Sequence, residues 1–260
     1  MQRLAANSMF LKILSHPLIR GLSVDDPRTT LLRRNLIKEK TFLRMLYSEW
    51  YERILNLLPE KTDVLELGSG AGFLQEIIPG VITSEVFETP GVNLITDACD
   101  LPFPDQSLSA IVMTDVFHHI PDVGRFFLEA TRCIRPGGKI VMIEPWCTSW
   151  SEWVYTHFHP EPFSPNSGWE IPCAGPLSGA NGALPWIIFQ RDKALFEARY
   201  PQWRLKTLEP MMPFSYLLSG GVSMRSLVPG WMYHSIRALE QALSQRHWAM
   251  FALIELEVSS

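Results

Sequence analysis

The 260-residue sequence contains only four cysteines, Cys99, Cys133, Cys147 and Cys173. None stands in a C-x-x-C pair and none lies with histidines at zinc-finger spacing, so they read as reduced thiols rather than as a disulfide framework or a structural zinc site. Reduced thiols point to the cytoplasm. There is no apolar run of 18 residues, which leaves no candidate membrane-spanning helix. The opening Met-Gln-Arg-Leu-Ala-Ala lacks an apolar core followed by a cleavage site, so nothing directs export. Positive charge is scarce and scattered: 23 Lys and Arg against 27 Asp and Glu give a net charge of −4 with no basic block. A general nucleic-acid partner needs a clustered positive face, and none is expected here.

What is present is enough apolar residue to bury one large core with additions, and one distinctive loop. Val64-Leu65-Glu66-Leu67-Gly68-Ser69-Gly70-Ala71-Gly72-Phe73 is an apolar strand that meets three glycines at alternate positions. Glycines so spaced let a strand turn tightly and let backbone N–H groups approach a ligand with no Cβ in the way. A G-x-G-x-x-G dinucleotide fingerprint needs small residues where Phe73 and Leu74 stand, so a nicotinamide cofactor is disfavoured.

The run E-x-G-x-G-x-G resembles motif I of the class I S-adenosylmethionine-dependent methyltransferases, of the type 11 kind. Four further segments resemble that family in the right order. They are Thr96-Asp97-Ala98 with Leu101-Pro102-Phe103-Pro104-Asp105; Ile111 to Pro121 with its His118-His119 pair; EATRCIRPGGK over 129–139; and the strand Ile140 to Pro145. The resemblance implies an α/β, Rossmann-like, doubly wound seven-stranded sheet, mostly parallel with an antiparallel last strand, carrying helical and loop cap insertions. It also implies S-adenosyl-L-methionine as cofactor. Glu66, Gly68, Ser69, Gly70, Gly72 and Phe73 would form the loop facing it, Asp97 and Ala98 would meet the adenine, and Thr114 and Asp115 would end strand four beside it. The acid that holds the ribose hydroxyls in this family would be Glu85, with Glu88 as its rival. Ser109 departs from the family, which has an aspartate at the start of strand four.

The pattern along the chain supports that rhythm. Residues 28–58 read as helical from the spacing of Leu32, Leu36, Leu43, Leu46, Trp50, Ile54 and Leu57, and Pro59 ends the run. Strands are expected at 64–67, 81–86, 92–96, 110–114, 139–144, 204–208 and 249–258, with helices near 72–78, 122–134 and 232–244. Pro136-Gly137-Gly138 should turn a helix into strand five. Between strands two and three only Phe87-Glu88-Thr89-Pro90-Gly91 intervenes, too short and too broken for the crossover helix usual in the family. The expected divisions are a helical cap over 1–58, the cofactor-binding core over 59–145, an aromatic lid over 146–203, and core strands over 204–260 with a second insertion at 211–246. Residues 1–24 alternate apolar and basic clusters that suit either a helix packed on the core or contact with a membrane surface.

The lid is dense in Trp, Tyr and Phe without helical spacing, which suits a pocket wall or a loop burying its own aromatics. Acceptor chemistry then needs a group to take a proton, and histidine suits neutral pH. His119 stands at the expected mouth, His157 and His159 lie in the lid, and Glu144 ends strand five where open α/β sheets bind ligands. These four are the catalytic candidates. His157, His159 and Glu161 could instead hold a metal or order the loop; no metal is expected. The expected function is methyl transfer to a small-molecule or lipid-like, partly apolar acceptor, at an oxygen. The alternatives are a non-catalytic cofactor-binding sensor or assembly subunit, and a protein methyltransferase.

Overall fold

The structure is a computed structural model that describes residues 16–19, 25–159, 161–171, 175 and 179–259. Apart from residues 16–19, the amphipathic stretch at the start falls outside the described residues, as does Cys173.

Seven strands form one sheet in the order β3-β2-β1-β4-β5-β7-β6. They are β1 Val64–Leu67, β2 Ile82–Glu85, β3 Leu94–Ile95, β4 Leu108–Thr114, β5 Ile134–Pro145, β6 Trp203–Met211 and β7 Phe251–Val258. Strands β1 to β5 pair in parallel, and β7 runs antiparallel to both β5 and β6. This is the expected doubly wound sheet with an antiparallel last strand. Among the described residues no helix is long and apolar enough to cross a membrane.

Alternation along the strands builds two cores, one on each face of the sheet. Leu65, Leu67, Ile111, Met113, Ile140 and Met142 point to one side, where Phe117, Phe126, Phe127, Phe189 and Phe196 cover them. Val64, Ala110, Val112, Val141 and Ile143 point to the other, beneath Trp50, Tyr51, Phe73 and Tyr155.

The expected helix over 28–58 is two helices, α1 Pro27–Glu39 and α2 Thr41–Leu57. Asp26 caps the first by accepting from the Arg28 N–H, with Pro27 in its first turn. The break falls at Lys40, whose Nζ is drawn to the backbone carbonyls of Gly221 and Met224 at 2.5 and 2.9 Å. The helix expected near 72–78 is only a 3-10 turn, Leu74–Glu76. Little more than a turn fits between Gly72 and Pro79. Phe73 is also pulled inward to pack edge-on against Tyr51 at 5.0 Å, leaving it at φ −140°.

No helix intervenes between Glu85 and Leu94, as the short connection required. Strand β5 begins earlier than expected: Ile134 already pairs with Leu108, and the register then slips so that Lys139 faces Ala110. Pro136-Gly137-Gly138 therefore lies in an irregular strand start rather than a free turn. A Cβ on Gly138 would sit 2.6 Å from the Ser109 carbonyl, so only glycine admits this approach. Helix α3 spans Val123–Cys133, capped by Asp122, and α4 spans Ser149–Phe158 behind a Thr148–Ser151 capping box. The last long helix runs Tyr233–Gln241, shorter than the expected 232–244.

Candidate active site

The carboxyl ends of β1, β2 and β4 open onto one cavity of about 350 Å3. At one end it is lined by Gly68, Glu85, Val86, Asp97 and Ala98; at the other by His119, His159 and Glu161, with Thr114 and Asp115 between. The roof comes from both insertions. Val154, Tyr155 and Phe158 belong to α4, and Tyr216 to Met224 follow β6. Helix α1 adds Thr30 and Arg33.

The glycine loop is held from three sides. Gly68 adopts φ +66°, and a Cβ there would come within 2.4 Å of the Val116 side chain. The Gly70 N–H donates to Glu85 Oε1 at 2.9 Å, while Arg34 Nε donates to the Gly70 carbonyl at 2.9 Å and its Nη1 to Pro90 O at 2.7 Å. Arg34 thus ties the loop to the helix-free connection after β2. Burial raises the Glu85 carboxyl above its ordinary pKa, against the two backbone N–H groups it accepts from. Its rival Glu88 is exposed.

Glu66 lies behind this loop, 4% exposed, and burial pushes its carboxyl up to about 7. Glu66, Ser69, Gly70, Gly72 and Phe73 do not line the cavity; they shape the turn from behind. Ser69 and Ser84 both donate their hydroxyls to the Glu66 carbonyl, pinning β1 to β2 at the turn.

At the polar end, Asp115 sits at φ +63°, a left-handed conformation that a residue with a side chain adopts at a cost. Burial pushes its carboxyl up to about 6. The next turn of chain, Phe117–His119, presents the two histidines. His118 is 1% exposed and donates from Nδ1 to Glu144 Oε2 at 2.8 Å. Its Nε2 lies 3.5 Å from Glu161 Oε2. Burial works against a charge on His118, but its bonds to Glu144 and Glu161 outweigh that and hold its pKa well above the ordinary histidine value. His119 donates from Nδ1 to the Gly179 carbonyl at 3.2 Å and leaves Nε2 3.9 Å from Glu161. Burial and the neighbouring His118 push its pKa down to about 3. Glu161 is half-buried, yet His118, His159 and His119 hold its carboxyl well below the usual carboxylate range.

The four catalytic candidates part company here. His119 and His159 line the cavity, and His159 Nδ1 is 3.8 Å from Glu161. Glu144, expected in the crevice, is fully buried: its Oε1 accepts the N–H groups of Val116 and Phe117, each at 2.8 Å, and its Oε2 takes His118. It holds the mouth loop from below. His157 is exposed, bonded to the Trp153 carbonyl at 2.7 Å and stacked on the Trp153 ring, away from the cavity.

Two contributors were not among the four catalytic candidates, although Glu161 was named with His157 and His159 as a possible metal ligand. Glu161 is the carboxylate on which three histidines converge. Arg33 reaches the cavity from α1, and its Nε–H is buried without a partner among the described residues. Arg33 stands three and four positions before Leu36 and Ile37, both fully buried. A base on the apolar stripe of an amphipathic helix was the signal that could have found it.

Residues 65–142 match the family model described as a methyltransferase domain. The possible histamine N-methyltransferase of Thermotoga maritima has the same fold, with a TM-score of 0.55 over 88% of this chain and 99% of that one at 14% identity. Over residues 65–142 the chain is thus similar to a methyltransferase domain, in keeping with the resemblance of its motifs to the class I S-adenosylmethionine-dependent methyltransferases. Among relatives, demethylmenaquinone methyltransferase of Tropheryma whipplei is 40% identical over 45 residues, 17% of this chain and 19% of that protein. The same-named protein of Thermus thermophilus is 29% identical over 117 residues, 36% of this chain and 53% of that one. The matched stretch therefore spans about a fifth to a half of these relatives' length.

The cavity presents groups of the kind that S-adenosylmethionine would need. Gly68 lines the cavity at a position where a Cβ would collide with Val116, and Glu85 offers a cavity-lining carboxylate at the end of β2. Val86, Val116 and Ile120 add apolar side chains to the same cavity wall.

Proposed function

We propose that the protein transfers a methyl group from S-adenosylmethionine to an oxygen of a small, partly apolar acceptor. One observation carries the reading: a single cavity joins the glycine loop to a polar cluster of His119, His159 and Glu161 under an aromatic roof. Both substrates of such a reaction need to share one water-poor space.

At the loop end, Glu85 would accept from the ribose hydroxyls, Asp97 and Ala98 would meet the adenine, and Gly68 would face the amino-acid half. Bound there, the cofactor supplies a sulfonium methyl already activated for displacement. At the far end, Tyr155, Phe158 and Tyr216 give the acceptor its apolar contacts. His119, His159 and Glu161 would hold its oxygen and manage the proton that leaves it, with Glu144 and His118 fixing the loop beneath. The unpartnered Arg33 Nε–H is a donor for an oxygen in the same space. A cavity of this size under an aromatic roof suits a small molecule better than an extended peptide, which would need a long groove.

Calorimetry with S-adenosylhomocysteine tests the premise. Micromolar binding is expected, and a folded protein that does not bind it overturns the reading. Transfer of tritium from labelled cofactor to a panel of small phenols and aliphatic alcohols then tests the acceptor class.

A further inference from the structure

We propose that His118, His119 and Glu161 form a binding site for one divalent transition-metal ion of the zinc type, open on its fourth side to the acceptor cavity. The three ligand atoms lie within 4.8 Å of one another. His118 Nε2 and His119 Nε2 approach Glu161 Oε2 at 3.5 and 3.9 Å. An ion bound at about 2.0–2.1 Å to nitrogen and oxygen in a tetrahedron sets ligand atoms about 3.4 Å apart. A small inward movement closes the set.

A further observation points to an ion. Each histidine has its other ring nitrogen fixed by an acceptor, Glu144 Oε2 for His118 and the Gly179 carbonyl for His119. Such anchoring leaves the His119 Nε2 bare, while on His118 an ion would displace the Nε2 proton that faces Glu161; an anchored Nδ1 is the arrangement that metal-ligating histidines require of their surroundings. A separate void of about 20 Å3 touches His118 and Glu161 but not His119, so it adjoins the set and is not the ion's own position. The set also differs from the sequence candidate of His157, His159 and Glu161, because His157 turns outward.

Ligand chemistry selects the ion. Two imidazoles and one carboxylate suit zinc and its first-row neighbours, whereas magnesium and calcium prefer all-oxygen sets. Three protein ligands with a free position are the pattern of catalytic rather than structural zinc. An acceptor hydroxyl that takes the free position would lose its proton more readily, and the alkoxide or phenoxide left behind is the attacking group. The balance is simple: the O–H bond breaks, its proton passes to solvent or to His159, and the oxygen forms the new bond to the methyl carbon while the sulfonium leaves as a thioether. This role for the ion rests on the proposed function; binding of the ion does not.

The test is titration of the chelator-treated full chain with Zn2+ by calorimetry and with Co2+ by visible absorption. One equivalent is expected, with d–d bands in the Co2+ spectrum. His119→Gln and Glu161→Gln should each weaken binding at least tenfold, while His157→Ala should leave it unchanged. S-adenosylhomocysteine affinity, measured on the same samples, reports that each variant is folded and that the cofactor half is intact. Protein that binds S-adenosylhomocysteine yet takes up no stoichiometric Zn2+ or Co2+ overturns the metal site and leaves the methyltransferase reading standing. Equal metal affinity in the wild type and in both Gln variants overturns it as well, as an adventitious ion only.

Discussion

His118 donates to Glu144 across 2.8 Å in a place where neither side chain meets solvent, and the same carboxylate accepts the N–H groups of Val116 and Phe117. One acid at the end of β5 therefore fixes the whole turn that follows β4. Removing it strands a buried imidazole and two buried N–H groups at once. Glu144→Ala is expected to lower stability by about 3–5 kcal/mol, the usual cost of breaking a buried pair from one side. Urea denaturation measures it, and a loss below about 1 kcal/mol would show that the turn is held elsewhere.

Glu85 both braces the Gly70 N–H and faces the cavity, whereas Glu88 is exposed. Hydrogen bonds to a charged group are worth about 1.5–3 kcal/mol. Glu85→Ala should thus weaken S-adenosylhomocysteine binding by roughly 10- to 100-fold, with Glu88→Ala unaffected. Calorimetry on the two variants decides between them; equal effects would return the ribose assignment to open competition.

The parallel sheet was legible because its signals are local. Val64-Leu65 and Ile111-Val112-Met113 are continuous apolar runs bounded by glycine or polar loops, and a strand buried on both faces has to look like that. Phe87 to Gly91 could be recognised as helix-free because proline and glycine act on their own backbone. The candidate site was legible only where one motif carries it, as at Gly68 and Asp97. Glu161 and Arg33 could not be placed: they come from the lid and from α1, and only tertiary packing sets them over the same cavity. Glu144 shows the converse. Its position at a strand end was read correctly, but a strand-end acid can face the crevice or turn beneath the neighbouring loop, and backbone N–H groups on the β4 turn decided the matter.

Gly68 is the glycine whose replacement should be most informative. Its φ of +66° opposes any side chain, and a Cβ would press 2.4 Å from Val116 Cγ2. Gly68→Ala is expected to cost about 1–2 kcal/mol for the backbone alone, plus the clash, and to weaken S-adenosylhomocysteine binding. The double variant Gly68→Ala with Val116→Ala removes the clash but not the backbone strain. It should recover part of the stability and not all, by thermal or urea unfolding; full recovery would mean that the left-handed conformation carries no cost here.

Glu66 supplies a pH test of the loop that is independent of the histidine cluster. Burial pushes its carboxyl from an ordinary 4.5 up to about 7, so the folded chain keeps this proton longer than the unfolded chain does. Below pH 4.5 both states are protonated and Glu66 contributes no penalty. As pH rises from there towards 7 the unfolded chain gains by ionising first, and stability falls; above 7 the penalty is complete and constant. A shift of this size corresponds to a cost on the order of 3 kcal/mol. Glutamine has nearly the same shape and no charge, so Glu66→Gln should match the wild type near pH 4.5 and exceed it by about 2–3 kcal/mol at pH 8. Urea unfolding at pH 5, 6, 7 and 8 reads the difference directly. A gap between the two proteins that does not widen across that range would mean that the Glu66 carboxyl is not titrating as its burial behind the glycine loop demands.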